Sequence, residues 1–240
     1  MQKLNKKIYL WILDLAINVA IIFVLVIVIQ KWIIAPFDVH GASMCDTMNF
    51  INGECEHDIG EKIIINEALY LFNDPERGDI VVFNTENSED KFYIKRVIGL
   101  PGETVEIKNG EVYLTTVEGE IIQLDETYLN VDNKGNTKVN YTNISVFEVP
   151  EEHYFLLGDN RNASTDSRTC FTGGGLTLSE CKKNPTKAFV HKDYIRGKAA
   201  VVWWPFSNIR FVENFDYSFE EETEESSEED QDNSASLEEK

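Results

Sequence analysis

The sequence predicts a mainly β domain that is carried on a single N-terminal transmembrane helix and followed by a disordered acidic C-terminal tail. Three observations predict this fold class. A long apolar segment opens the chain, short strand-type runs separated by turn residues fill its middle, and acidic residues dominate its end. With 240 residues, of which 42% are hydrophobic, the chain can bury one good-sized core, so we expect one folded domain with appendages.

The N-terminal segment is long enough to cross a bilayer. Ile8 to Ile29 is 22 residues long, and only Asp14 and Asn18 within it are strongly polar. A helix of that length would extend roughly 33 Å. The apolar part of a secretory signal peptide is only about 7 to 15 residues long. We therefore expect residues 8–34 to be retained as a membrane anchor.

The lysines around this segment predict its orientation. Three lysines precede it, whereas no Lys or Arg lies between Lys31 and Lys62. Since positive residues favour the cytoplasmic side, we expect residues 1–7 in the cytoplasm and residues 35–212 outside. The expected location is the cell membrane, with a single pass and an extracytoplasmic domain, so the lipid bilayer is an expected partner.

The middle of the chain shows strand patterns and no long helical periodicity. Asn109-Gly110 is a strong two-residue hairpin signal, and the triple glycine at Gly173–Gly175 predicts a surface insertion. The apolar or alternating runs are Ile80–Phe83, Phe92–Ile94, Thr104–Ile107, Val112–Leu114, Tyr154–Leu157 and Ala199–Trp203.

The acidity of the chain is concentrated at its C-terminus. Glu213 to Lys240 contains 13 Asp and Glu against one Lys, which is −12 of the total charge of −20 and leaves −8 elsewhere. We expect residues 213–240 to be disordered. No basic cluster is present, and phosphate contacts need concentrated Lys and Arg, so nucleic acid is excluded as a partner.

Two residues could carry nucleophilic chemistry. Ser43 follows Gly41-Ala42 in a non-periodic stretch suited to presenting a hydroxyl. Lys95 lies among apolar residues of a predicted strand, where desolvation would lower its pKa enough for it to act as a base. From spacing alone, a strand lysine more often lies on the solvated face, and both interpretations remain open at this point.

Four segments resemble, in order, the signature boxes of bacterial type I signal peptidases, which are serine/lysine peptidases. The resemblance runs from the apolar segment to about Phe211, and its last two boxes are long enough to be highly specific. The segments are Gly41–Met44, Arg77–Phe83, Tyr93–Gly102 and Gly158–Arg168.

The resemblance implies a catalytic site on the mostly β domain. It implies a nucleophile at Ser43 and a general base at Lys95, with no metal and no cofactor. It places the oxyanion hole at the backbone N–H groups of Ser43 and Gly41. It further implies that Ser164 hydrogen-bonds the lysine, and that Asp166 and Arg168 form a supporting ion pair. The implied partners are signal peptides of exported preproteins, with small residues at positions −1 and −3.

The same resemblance assigns shallow substrate pockets, although each of their residues could equally belong to the core. They are Phe37, Val39, Met44, Met48, Tyr93 and Ile94. Asp46 departs from the family pattern, which has proline there. Two alternatives stay open: a specialised serine/lysine processing peptidase, and a catalytically dead, membrane-tethered module that binds peptides. The oligomeric state is not indicated by the sequence.

Four cysteines lie on the side expected to be oxidising, and four cysteines allow three pairings. We favour Cys45 with Cys55 and Cys170 with Cys181, because each pair closes a loop of about ten residues. Chain entropy suggests about 2 to 3 kcal/mol of stabilisation for each such loop. The alternatives are four reduced buried thiols, or a redox-reactive Cys45 beside the site.

Overall fold

The computed structural model describes residues 2–45, 47–85, 88–139, 144–171, 181, 183–215 and 217. Asp46, the Gly173–Gly175 insertion and most of the acidic tail, namely 216 and 218–240, lie outside the described residues, so the predictions made for them stay predictions.

The described chain begins with one long helix, α1, at Gln2–Trp32. Its Lys6–Ile29 portion is long and apolar enough to cross a membrane, by length and composition. The helix ends two residues before the anchor boundary predicted at 34, because Ile34 already begins the first strand. Ile33 alone separates the two elements, and its carbonyl accepts a hydrogen bond from the Glu67 N–H at 2.9 Å.

Fourteen strands follow among the described residues, so the predicted mainly β fold class is confirmed. They are β1 Ile34–His40, β2 Phe50–Ile51, β3 Glu54–Cys55, β4 Ile59–Asn66, β5 Ile80–Thr85, β6 Ser88–Gly99, β7 Thr104–Lys108, β8 Glu111–Thr115, β9 Ile121–Gln123, β10 Val146–Glu148, β11 His153–Leu157, β12 Val190–His191, β13 Ile195–Trp204 and β14 Arg210–Phe211. Short 3-10 turns lie at Ala68–Leu71, Ser167–Thr169, Pro185–Ala188, Lys192–Tyr194 and Phe206–Asn208.

The strands form three antiparallel sheets. The main sheet has the order β1-β4-β13-β5-β6-β11-β12, with β14 added to β13, so β1 is an edge strand. A second sheet has the order β10-β7-β8-β9, and β2 and β3 form a small hairpin. All six predicted runs lie within strands. The predicted turn joins β7 to β8, with positive φ at both Asn109 (55°) and Gly110 (89°), as a type I′ hairpin requires.

Apolar residues on alternate strand positions pack into the core. Burial alternates along β7 and β8, where Val105, Ile107, Val112 and Leu114 face inward. These side chains pack with residues of β11 and of the Cys170 region. The main sheet buries a second cluster around β4, β5 and β13, and this cluster lies beneath the candidate site.

The packed chain continues beyond residue 212, where the sequence predicts that the domain ends. Tyr217 is 9% exposed and packs in the same cluster as Phe215. Its hydroxyl donates to the Tyr128 hydroxyl at 2.9 Å, and Asn214 donates to Asp79 at 2.9 Å. At least part of the segment assigned to the tail from 213 is therefore integrated into the fold, because its two aromatic side chains bury against β-domain residues.

The cysteines are joined in the two pairs that are close in sequence. Cys45 is bridged to Cys55 with 5.9 Å between their Cα atoms, and Cys170 to Cys181 with 5.7 Å. Both Cα separations lie in the range usual for disulfides. The first bridge ties the turn that follows Ser43 to the β2–β3 hairpin.

Candidate active site

The structure brings Ser43 and Lys95 together although 52 residues separate them in sequence. Ser43 lies in the turn after β1, and Lys95 projects from β6. Lys95 Nζ is 2.7 Å from Ser43 Oγ and 2.6 Å from the Ile94 carbonyl oxygen. The hydroxyl and the amine are thus within reach of direct proton transfer.

Lys95 is buried, with an exposed fraction of 3%. Burial penalises the ammonium and lowers the pKa of Lys95 from its ordinary 10.5 to about 8. The carboxylates of Asp166 and Asp159 raise the pKa and limit the shift, while the Arg168 guanidinium lowers it further. Arg96, the next residue along the strand, pairs with Asp159. The site therefore holds an amine whose neutral form is far more populated near neutral pH than that of a solvated lysine.

The loop carrying Ser43 is held by Asn160. The Asn160 N–H donates to the Ser43 carbonyl at 3.1 Å, and its side-chain amide donates to the Ala42 carbonyl at 3.0 Å. Gly158 lies so close that a Cβ there would be 2.5 Å from the Ser43 carbonyl oxygen and 2.1 Å from Ser164 Oγ. Only glycine allows this approach of the two loops.

The two expected oxyanion donors differ in availability. Among the described residues, the Ser43 N–H meets no hydrogen-bond acceptor. The Gly41 N–H, in contrast, donates to the Asp58 carbonyl at 3.2 Å. Gly41 has a φ of +77°, a left-handed conformation that suits glycine. The Ser43 N–H is thus available to an incoming acceptor, whereas the Gly41 N–H is occupied by the Asp58 carbonyl.

Ser164, Asp166 and Arg168 lie behind the pair as a compact group. Asp166 and Arg168 are almost fully buried and form a two-pronged ion pair at 2.7 and 2.8 Å. Burial alone would raise the pKa of Asp166, but the Arg168 guanidinium, hydrogen bonds from Arg168 and Gly158, and the nearby Ser164 hydroxyl hold it below its ordinary value.

The hydrogen bond expected between Ser164 and Lys95 is not formed in this structure. Ser164 Oγ is buried, and within the described chain no polar atom meets hydrogen-bond geometry with it. It is nevertheless close enough to Asp166 to contribute to the low pKa of that carboxyl.

A second ion pair supports the site and was not identified from the sequence. Arg96 and Asp159 are each 2% exposed or less and make two hydrogen bonds, at 2.7 and 2.9 Å. Asp159 also accepts a hydrogen bond from the Thr47 hydroxyl at 2.6 Å. Asp159 and Asn160 fall inside the segment that carried the family resemblance, which was the only signal for them. Nothing in the sequence pointed to Thr47.

A cleft of about 110 Å³ opens beside Ser43 and Lys95. It lies between β1 and β6, above Ile63 of β4 and Val82 of β5. Four of the six predicted pocket residues line it, namely Phe37, Val39, Tyr93 and Ile94. Asp38, His40 and Phe92 line it as well, and the rings of Phe37 and Phe92 meet edge to face at 5.1 Å.

Met44 and Met48 do not line this cleft. Their exposed fractions are 1% and 0%, and both pack into the core under the main sheet. They support the floor of the site from below. Within the described part of the chain, no group of three or more His, Cys, Asp or Glu side chains could hold a metal ion.

Comparison with known proteins assigns the chain to a family. The family model described as signal peptidase, peptidase S26, matches residues 12–204. Signal peptidase I of Bacillus amyloliquefaciens is 36% identical over 202 residues, which cover 83% of this chain and 91% of the relative. Signal peptidase IB of Staphylococcus aureus (strain COL) is 32% identical over 218 residues, which cover 86% of this chain and 95% of the relative.

A solved structure is also similar in sequence. The crystal structure of a signal peptidase I from Enterococcus faecalis V583 is 31% identical and covers 52% of this chain and 97% of its own, with a TM-score of 0.35.

Proposed function

The chain belongs to the signal peptidase family, peptidase S26, and from this premise we propose that it cleaves signal peptides from exported preproteins with Ser43 as nucleophile and Lys95 as general base. The observation that carries the proposal is the 2.7 Å separation of Ser43 Oγ from a buried Lys95 amine. A solvated lysine has a pKa near 10.4 and would be protonated at neutral pH. Burial reduces that obstacle, because with a pKa of about 8 a usable fraction of Lys95 is neutral near pH 7.

In acylation, Ser43 Oγ attacks the carbonyl carbon of the scissile peptide bond while Lys95 Nζ takes the hydroxyl proton. The negative charge that develops on the carbonyl oxygen is stabilised by the Ser43 N–H. The tetrahedral intermediate then breaks its C–N bond, and the Lys95 ammonium gives the proton to the leaving amine. The products of this half are the mature protein and a Ser43 ester of the signal peptide.

In deacylation, a water molecule attacks the ester carbonyl while Lys95, again neutral, takes a proton from it. Collapse of the second tetrahedral intermediate breaks the ester bond, and Lys95 returns the proton to Ser43 Oγ. The signal peptide leaves with a new carboxylate. Asp166, Arg168 and Ser164 do not take part in proton transfer and instead fix the site around Lys95.

The cleft supports recognition of an extended peptide with small side chains. β1 is an edge strand, so its free backbone groups can pair with a substrate strand. Phe37, Val39, Tyr93 and Ile94 make the adjoining wall apolar and shallow. Small side chains at positions −1 and −3 of the substrate fit such pockets. Large side chains there would hold the scissile bond away from Ser43.

We further propose that α1 anchors the protein in the cell membrane with its N-terminus in the cytoplasm, so that cleavage occurs at the outer face. The lysines before the span support this orientation. Protease added outside spheroplasts should then digest a C-terminal epitope tag and leave an N-terminal one protected. The reverse pattern would overturn the orientation.

The catalytic proposal is tested with purified protein, a preprotein carrying alanine at −1 and −3, and the Ser43→Ala variant. Wild type should release the mature protein, and Ser43→Ala should not. Binding without cleavage by wild type would favour the peptide-binding module. Cleavage of one leader among a panel of unrelated leaders would favour the specialised processing peptidase.

A further inference from the structure

The loop that carries Ser43 is also hydrogen-bonded to a buried asparagine that has no part in the proposed chemistry. Asn49 follows this loop, is 0% exposed, and adopts a left-handed backbone with a φ of 61°. Its side-chain amide donates to the Gly41 carbonyl at 2.9 Å and to the Val39 carbonyl at 3.1 Å. One side chain thus fastens the end of β1 and the first residue of the loop before Ser43.

Asn49 is itself fixed from both ends by Glu61 of β4. Its side-chain oxygen accepts the Glu61 N–H at 2.8 Å, and its own N–H donates to the Glu61 carboxylate at 2.9 Å. The adjacent Gly60 leaves the room this arrangement needs, because a Cβ there would be 2.5 Å from Asn49 Oδ1. The amide orientation is therefore determined, with its NH₂ group facing the carbonyls of the loop.

The Glu61 carboxylate is also bound by Arg210, which compensates its charge, and by Asn208. Glu61 is 0% exposed and accepts hydrogen bonds from Arg210 at 2.5 and 2.8 Å and from Asn208 at 2.5 Å. Arg210 also donates to the Thr47 carbonyl at 2.8 Å. The network therefore grips the chain on both sides of Ser43, at Val39 and Gly41 before it and at Thr47 after it.

We infer that Asn49, locked by the Glu61–Arg210 pair, is the positioning residue that sets the backbone of the Ser43 loop and so aims Ser43 Oγ at Lys95. The inference rests on the proposed roles of Ser43 and Lys95. Asn49 touches neither of these side chains by a hydrogen bond, so it acts through the backbone. Without it, the Gly41 and Val39 carbonyls lose their donors, and the loop is free to shift. A misplacement of about 1 Å can cost about a hundredfold in rate.

The test compares Asn49→Gly and Asn49→Ala with wild type in preprotein cleavage. Glycine accepts the positive φ at no cost, so Asn49→Gly removes the amide contacts and leaves the backbone conformation unstrained. Both variants should lose kcat by about ten- to a hundredfold while KM changes by less than about threefold. The acid limb of the pH profile should also shift to higher pH, because a loosened loop admits water to Lys95 and so raises its pKa.

A matched control is Val112→Ala in β8, which empties a buried position of the second sheet and does not contact the loop. It should lower thermal stability while leaving kcat and the pH profile of the folded enzyme unchanged. Full activity in Asn49→Gly would overturn the inference, since the asparagine would then serve only the left-handed turn. A KM effect alone would overturn it as well.

The proposed function is judged separately, because wild type and Ser43→Ala are assayed first. If wild type does not cleave, the proposed function fails. The inference is then decided by labelling of Ser43 with a serine-reactive fluorophosphonate, after thermal melting has shown that the variants are folded. Equal labelling of Ser43 in wild type and Asn49→Gly would refute it.

Discussion

The acid limb of the activity profile follows directly from the buried amine. With a pKa of about 8, Lys95 is neutral in about 9% of molecules at pH 7, against about 0.03% for an amine with the ordinary value of 10.5. Burial thus raises the concentration of active base about 300-fold. Because the neutral form is the base, activity should rise with pH through the pKa and level off above it, with a gain of about 90-fold between pH 6 and pH 9.

The assay is kcat/KM for a fluorogenic leader peptide measured from pH 5.5 to 10 with detergent-solubilised protein. His40 also lines the cleft, so His40→Gln is the matched control and should keep the limb of wild type. A profile that stays flat down to pH 6, or a limb that disappears in His40→Gln, would refute Lys95 as the base. A limb above pH 10 would show that burial does not lower its pKa.

Four further results are expected. Lys95→Met should be inactive and about 3 kcal/mol more stable than wild type in urea at pH 7, and this difference should shrink as pH rises from 8 to 10.5, because the folded state releases its proton before the unfolded state does. Ser164→Ala should lower kcat within about tenfold and change KM less, since its buried hydroxyl lies behind the reacting groups. Truncation after Tyr217 should leave the melting temperature unchanged, whereas truncation after Asn214 should cost about 3 kcal/mol through the lost aromatic packing. Replacing the Cys45–Cys55 bridge by two serines should cost about 2 to 3 kcal/mol in denaturation, and non-reducing peptide mapping of wild type should recover that pair.

Much of the β domain could be predicted because its strands alternate cleanly or sit between turn residues. β1 was missed because its first residues continue the apolar run of α1, so hydropathy alone merges a helix with a strand. β4 was missed although it contains three successive isoleucines, because such a run can equally be a buried helix segment. The two-residue strands carry too few positions to form a pattern.

The candidate site divides along the same line. Ser43 and Lys95 were found because family segments contain them, and the strand alternation around Lys95 was compatible with burial. Thr47 and Asn49 were not found, because their partners lie far away in sequence or have no characteristic spacing; Thr47 and Asp159 are 112 residues apart. Met44 and Met48 resembled pocket residues by position, but packing turned both side chains into the core.

The single residue between α1 and β1 has a consequence for where a substrate can be cut. The Ile33 carbonyl accepts a hydrogen bond from the Glu67 N–H, so the junction between helix and strand is bonded to the residue that follows β4. Seven residues of β1 at about 3.3 Å each put its far end roughly 23 Å along the strand from the end of α1. If α1 spans the bilayer as proposed, the length of β1 limits how far the cleft lies from the membrane surface. A leader would then be cut at the point of its chain that lies at this distance from the membrane. The number of leader residues between the apolar segment and the cleavage point should therefore match the length of β1.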